Sequence, residues 1–136
     1  MLKKPITYTD WNGVQRTEDF YFHLSKLDLA KLQSSVKGGY DVNVRSIAAG
    51  GDGKSIMEFF ENFIKLSYGE KSEDGRRHMK SEEITRAFME TPAYEALFEE
   101  LVTDAKAAAA FYNAVMPKDL DEFANKVEAA AAANNN

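Results

Sequence analysis

Between Lys54 and Tyr68 the chain places Ile56, Phe59, Phe60, Phe63, Ile64 and Tyr68 at steps of three and four residues. That spacing repeats with the helical turn, so these side chains form one apolar stripe, while Glu58, Glu61, Asn62 and Lys65 occupy other faces. A stripe holding this many aromatic rings must be covered by the rest of the chain. Such a pattern is far more often core than ligand cage, and it predicts the centre of the fold.

The segments on either side supply the cover. Ile6-Thr7-Tyr8-Thr9 and Glu18-Asp19-Phe20-Tyr21-Phe22 have strand character, and Asp10-Trp11-Asn12-Gly13 between them signals a turn. Together they predict a β-hairpin over residues 4–23. A two-residue Asn-Gly turn sets Ile6 against Asp19 and wastes the apolar face. A three-residue loop with Gly13 left-handed sets Ile6 against Phe20, and that register is expected. Phe20 and Phe22 then share a face that something else must cover, because an isolated hairpin is marginal in water.

The remainder, residues 25–128, reads as a helical body. Ser25 caps a short helix carrying Leu27, Leu29, Leu32 and Val36 that ends at Gly38-Gly39. Tyr40–Ala49 is read as helix, although Tyr40-Asp41-Val42-Asn43-Val44 also alternates like a strand. Gly69–Lys80 is read as a polar loop. Ser81 opens the next helix, with Ile84, Ala87 and Phe88. Thr91-Pro92 opens another, with Tyr94, Leu97, Phe98, Leu101 and Val102 on its apolar face. Thr103-Asp104 interrupts or caps again before Ala108, Phe111, Tyr112 and Val115, and Pro117 stops the segment. Leu120, Phe123, Ala124 and Val127 make a last amphipathic helix, and residues 129–136 form a flexible Ala/Asn tail. The expected fold is mainly α: an N-terminal β-hairpin packed on a bundle of about five to six helices, one domain over residues 1–128.

At 136 residues the chain suits one core. It has no cysteine, which excludes disulfides, thiolate metal sites and cysteine nucleophiles, and only His23 and His78 remain as neutral-pH bases. No apolar run approaches the roughly 18 residues of a membrane span, and Met1–Pro5 lacks a signal peptide's apolar stretch. A soluble intracellular protein is expected. The formal net charge is −5, unevenly spread. Residues 1–80 hold 13 of the 17 basic and 11 of the 22 acidic side chains, a balance of +2; residues 81–136 hold the rest, a balance of −7. That asymmetry suits association with another copy or a basic partner, and equally a solvated acidic surface. It disfavours a nucleic-acid partner.

No constellation assembles catalysis. Gly50–Ser55 ends in Lys-Ser like a phosphate loop, but the required upstream glycine is Ala48. Asp52-Gly53 and Asp74-Gly75 lack the spaced oxygen ligands of a calcium loop. His78 stands among Arg76, Arg77 and Lys80, a mobile solvated loop or, less favoured, an anion site. His23 has no second histidine nearby in sequence, and Glu82-Glu83 and Glu99-Glu100 are ordinary surface acids. Neither a catalytic triad nor a cofactor or metal site is expected, and the chain is read as a non-enzyme. What remains is surface for protein partners. The candidate binding residues are Phe20, Tyr21, Phe22, Arg76, Arg77, Leu120, Phe123 and Val127, with a well-closed helical monomer as the competing reading.

Three stretches carry a more specific likeness. They are the hairpin Ile6–Val14 with Glu18–Phe22; Lys65–Ser72 continued by Asp74–Arg77 and Lys80–Glu83; and Phe98–Ala105 with Ala108–Phe111. In this order, across most of residues 5–118, the sequence resembles the tail assembly chaperones of long-tailed, siphovirus-type bacteriophages. The resemblance implies a small, mostly helical, non-catalytic protein in the cytoplasm of the infected host. Such a protein holds the tape measure protein in a competent state, helps tail tube subunits assemble around it, and is absent from the mature virion. It also implies a longer form made by ribosomal frameshifting near the end of the short frame, which here falls by residues 129–136.

Head-to-tail packing of many copies into rings or spirals accords with the charge asymmetry, and avidity would strengthen single weak contacts. Three alternatives stay open: another phage morphogenesis factor, such as a head–tail connector or tail terminator with a β-rich body; a small nucleic-acid-binding regulator using Arg76, Arg77 and Lys80; or an enzyme, which would need a clustered polar pocket that this sequence does not advertise.

Overall fold

Asp10 sets the N-terminal hairpin. In the computed structural model, which describes residues 1–35 and 53–117, its carboxylate accepts from the backbone N–H groups of Asn12 and Val14, each at 2.9 Å, and pairs with Arg16 Nε at 2.6 Å. Gly13 N–H donates to the Asp10 carbonyl, Asp10 N–H donates to the Val14 carbonyl, and Gly13 sits at φ +79°. The loop is therefore Trp11–Gly13, with glycine at the left-handed position where a Cβ is penalised. Strands β1 (Leu2–Thr9) and β2 (Gln15–Phe22) leave it antiparallel.

The left-handed Gly13 is as expected, but the register is not: Ile6 faces Glu18 and Phe20 faces Lys4. By binding Val14, Asp10 makes that residue its own cross-strand partner and moves the pairing by two positions. A slip of two keeps each side chain on its expected face, so Ile6, Tyr8, Phe20 and Phe22 still point the same way. Pro5 fits here because β1 lies at the edge of the sheet, where a missing N–H breaks no ladder.

A larger correction concerns Gly69–Lys80, expected as loop. Two further strands form there, β3 (Tyr68–Lys71) and β4 (His78–Met79), turning the hairpin into a four-stranded antiparallel sheet of order β1-β2-β3-β4. Phe22 pairs with Tyr68 and Tyr21 with Gly69. The β3–β4 turn is built like the first. Asp74 accepts from Ser72 Oγ at 2.7 Å and from Arg76 N–H at 3.0 Å, Ser72 N–H donates to the Arg77 carbonyl, and Gly75 lies at φ +75°.

Tyr68, expected to complete the helical stripe, is instead the first residue of β3. The chain passes from helix to strand with no connecting loop, because the Ser67 carbonyl accepts the His23 N–H at 2.8 Å. Buried Ser67 turns its own hydroxyl back to the Phe63 carbonyl at 2.7 Å.

Five helices lie among the described residues. They are α1 (Lys26–Ser35), α2 (Gly53–Ser67), α3 (Glu82–Met89), α4 (Pro92–Thr103) and α5 (Ala105–Val115). Their starts follow the sequence signals. Ser25 and Asp28 cap each other's backbone N–H reciprocally at 3.0 and 3.1 Å. Ser81 caps α3, and Thr91 caps α4 with Pro92 at its first position. The expected helix over Tyr40–Ala49, the last helix around Leu120–Val127 and the tail 129–136 lie outside the described residues.

The sheet's inner face and the α2 stripe meet in a largely aromatic core. Phe22, fully buried, has its ring 5.1 Å from Phe111, 5.6 Å from Tyr68 and 6.0 Å from Phe88. Tyr68 stacks on Phe88 at 4.1 Å. Helix α4 covers β1 and sends Ala93, Leu97 and Leu101 inward, with Lys4 Nζ 3.3 Å from the Glu100 carboxylate at the margin. The mostly helical fold with a sheet on its N-terminal side agrees with the expectation; the hairpin is simply half of that sheet.

Candidate protein-binding surface

Helix α5 reads Ala-Lys-Ala-Ala-Ala-Ala-Phe-Tyr-Asn-Ala-Val, so Lys106 and Asn113 are its only strongly polar side chains. A helix that is apolar nearly all round calls for cover on more than one side. Its core stripe, Phe111 and Val115, is buried, yet Ala109, Ala110 and Ala114 are exposed. The direction of α5 is set at Asp104. This residue is extended (φ −128°, ψ 103°), and its N–H closes α4 on the Glu100 carbonyl. Its carboxylate opens α5 by accepting from the N–H groups of Lys106 and Ala107 at 3.0 and 3.1 Å. That single break lays Tyr112 5.3 Å from Phe63 and 6.3 Å from Phe59, ring to ring.

Between α2 and α5 the break leaves a groove of about 410 Å³. Ile56, Phe59 and Phe60 form one wall, Ala105, Ala108 and Ala109 the other, and Val102 and Thr103 close the end. None of the side chains lining it carries a charge. It can hold an apolar helix face, with the alanines leaving room for a large side chain.

A wider, more open depression of about 610 Å³ lies beside α3, bordered by Lys65, Lys80, Ser81 and Arg86. Lys80 is already committed there. Its ammonium donates to the His23 carbonyl at 2.7 Å and the Leu66 carbonyl at 2.9 Å, and lies 3.6 Å from the Asp28 carboxylate. It joins the end of β2, the end of α2 and the start of α1. Arg76, Arg77, His78 and Lys80, weighed as a mobile solvated loop or, less favoured, an anion site, belong to the β3–β4 hairpin and do not gather into one basic cluster. Arg76 and Arg77 are exposed on the β3–β4 turn, and His78 turns onto the sheet, its ring 5.8 Å from that of His23. Burial, reinforced by the charge of Lys80, pushes both histidines below the usual imidazole range.

The hairpin aromatics are divided between the two faces of the sheet. Phe22 is fully buried, Phe20 packs on Phe88 at 5.2 Å, and Tyr21 lies on the outer face, with Lys71 Nζ 5.9 Å above its ring. Leu120, Phe123 and Val127 lie outside the described residues. The α2/α5 groove brings together Ile56, Ala105, Ala108 and Ala109, none of which was among the expected binding residues. The available signal was the near-absence of polar residues around the whole of α5. Trp11 was read only as part of a turn. It is 79% exposed at the hairpin tip, held by one hydrogen bond from Nε1 to the Glu90 carbonyl at 3.3 Å.

Among the described residues no three His, Asp or Glu side chains gather as a metal site, and no helix is long and apolar enough to cross a membrane. The fold and its groove define a small protein, largely helical among the described residues, with an uncharged groove between α2 and α5. The family model for phage tail assembly chaperones matches residues 1–136, the whole chain, and the protein belongs to that family. No curated protein and no solved structure matches it.

Proposed function

We propose that this tail assembly chaperone binds the tape measure protein in the cytoplasm of the infected host and helps tail tube subunits assemble around it. It works in many copies, without catalysis, and is absent from the finished virion. The observation that carries this reading is the uncharged groove between α2 and α5. A long helical client offers apolar side chains at i, i+3, i+4 and i+7, and an apolar groove of this kind takes such a stripe.

One groove binds weakly, so hold on the client comes from many copies along its length. The balance of −7 on residues 81–136 against +2 on residues 1–80 supports head-to-tail contact between those copies. Co-expression with the tail proteins, followed by pull-down, tests the reading. Capture of the tape measure or tube protein is expected, with loss of capture when Ala108→Arg fills the groove. Failure of the intact chain to retain either tail protein refutes it.

A further inference from the structure

We propose that His23 and His78 together hold a divalent transition-metal ion of the Zn²⁺, Ni²⁺ or Cu²⁺ kind on the outer face of the sheet. The site is separate from the α2/α5 groove and independent of the client reading.

These are the only two histidines in the chain, far apart in sequence, and strand pairing brings them together. His23 follows the last residue of β2, its N–H on the Ser67 carbonyl at 2.8 Å. His78 opens β4 opposite Lys71. Between them β3 passes through Gly69, which pairs with Tyr21. Because Gly69 has no side chain, the His78 ring lies across β3, with Nε2 and Cε1 only 2.6 and 2.7 Å from where a Cβ would stand. Any other residue would fill that cradle. The ring thus comes to 5.8 Å from the His23 ring, centroid to centroid, with 84° between their planes. Two imidazoles bound to one ion through nitrogens at about 2.1 Å put their centroids roughly 5–6 Å apart. The pair already stands at the spacing of two ligands.

Both ring nitrogens of His78 are shut off from solvent, and neither makes a hydrogen bond. Buried polar atoms are nearly always satisfied, so this pair calls for a partner. A metal ion provides one. The Tyr21 carbonyl, close enough to favour a proton on the ring, suits the other nitrogen, as backbone carbonyls do for many metal-binding histidines.

The charges around the pair are compatible with this role. Burial, with the positive charges of Lys80 and the Met1 α-amino group, lowers both imidazoles, and Asp28 opposes that at His23. Both are therefore neutral at neutral pH, the form that ligates. The Asp28 carboxylate, 3.6 Å from the Lys80 ammonium, offsets part of its repulsion of a cation. Imidazole donors select Zn²⁺, Ni²⁺ or Cu²⁺ over Mg²⁺ and Ca²⁺, which take oxygen, and water completes the coordination. A bound ion ties the end of β2 to β4, whose pairing with β3 is only two residues long.

Titrating the full chain with zinc chloride while following the imidazole C–H signals by NMR reads the site, because only two histidines contribute. Both sets of signals are expected to shift together, saturate at one ion per chain, return with EDTA and stay unmoved by magnesium chloride. His23→Gln and His78→Gln, each checked for fold by its amide spectrum, should weaken binding by about tenfold or more. No shift, movement of one histidine alone, or unchanged affinity in either folded variant means an adventitious ion only and overturns the proposal. If a variant loses its fold, the joint shift in the unaltered chain decides.

Discussion

Gly69 has no room for a side chain, although its backbone is ordinary strand. A Cβ built there lies 2.6 Å from His78 Nε2, 2.7 Å from His78 Cε1 and 2.7 Å from the Met79 carbonyl oxygen. Ordinary contact begins at 3.4 Å, so β4 must recede by about 0.7 Å to accept alanine. The imidazole stands edge-on to the His23 ring 5.8 Å away, and the carbonyl belongs to the backbone of a two-residue strand. Overpacking of this kind costs about 1–3 kcal/mol, and with backbone among the clashing atoms Gly69→Ala should lie near the upper end.

The assay is urea unfolding of wild type, Gly69→Ala, His78→Ala and the double variant. Removing the imidazole clears two of the three contacts and leaves the carbonyl. In the His78→Ala background the glycine substitution should therefore cost about 1 kcal/mol, a coupling of at least about 1 kcal/mol. A Gly69→Ala protein within about 0.5 kcal/mol of wild type, or strict additivity of the two changes, refutes the close approach of β3 and β4.

Three further predictions follow from the same packing. Lys80→Met strips a charged donor from two carbonyls and should cost about 2–3 kcal/mol in urea unfolding; a loss below about 0.5 kcal/mol removes Lys80 as the junction's tie. Phe22→Ala should cost about 3–5 kcal/mol and lower the melting temperature whether or not a partner is present, whereas a stable variant deficient only in binding would return Phe22 to the interface. His23 and His78 titrate below their ordinary 6.5 when folded, so the unfolded chain binds protons first. Stability should therefore be full well above that value and fall as pH drops through and below it, and a flat profile there contradicts their burial.

How far the sequence revealed the structure differs by element. Helix starts were legible because each is a short-range signal: Ser81, Thr91-Pro92 and Asp104 sit within three residues of the N–H groups they satisfy. The stripe of α2 was legible because periodicity survives burial. Strands β3 and β4 were not, since Tyr-Gly-Glu-Lys and His-Met are too short to alternate, and their pairing is decided by β2. The register error has the same origin. Apolar pairing favoured Ile6 against Phe20, but one Asp10 carboxylate with two backbone partners outweighed it, and Lys4 found its own partner in Glu100. Of the aromatic candidate site residues that are described, Phe22 went to the core with Phe20 packed against it, because large rings are what a core of this size consumes first, while Tyr21 stays on the outer face.

That allocation bears on how a chaperone of this size can work. With Phe22, Phe63, Tyr68, Phe88 and Phe111 committed to the core, the apolar surface left on α5 is mainly alanine. An alanine methyl buries little area, and at about 25 cal/mol per Å² each such contact contributes only a few tenths of a kcal/mol. A groove walled on one side by methyl groups therefore binds a single helix loosely, and occupancy depends on how many copies engage one client. On the proposed function this is an advantage, because a client held by many weak grooves can be released one copy at a time as tube subunits arrive. Ala109→Leu tests the point: it should tighten a single-helix peptide several-fold while slowing handover to tube protein. Faster handover with tighter binding would show that grip on the client does not limit release.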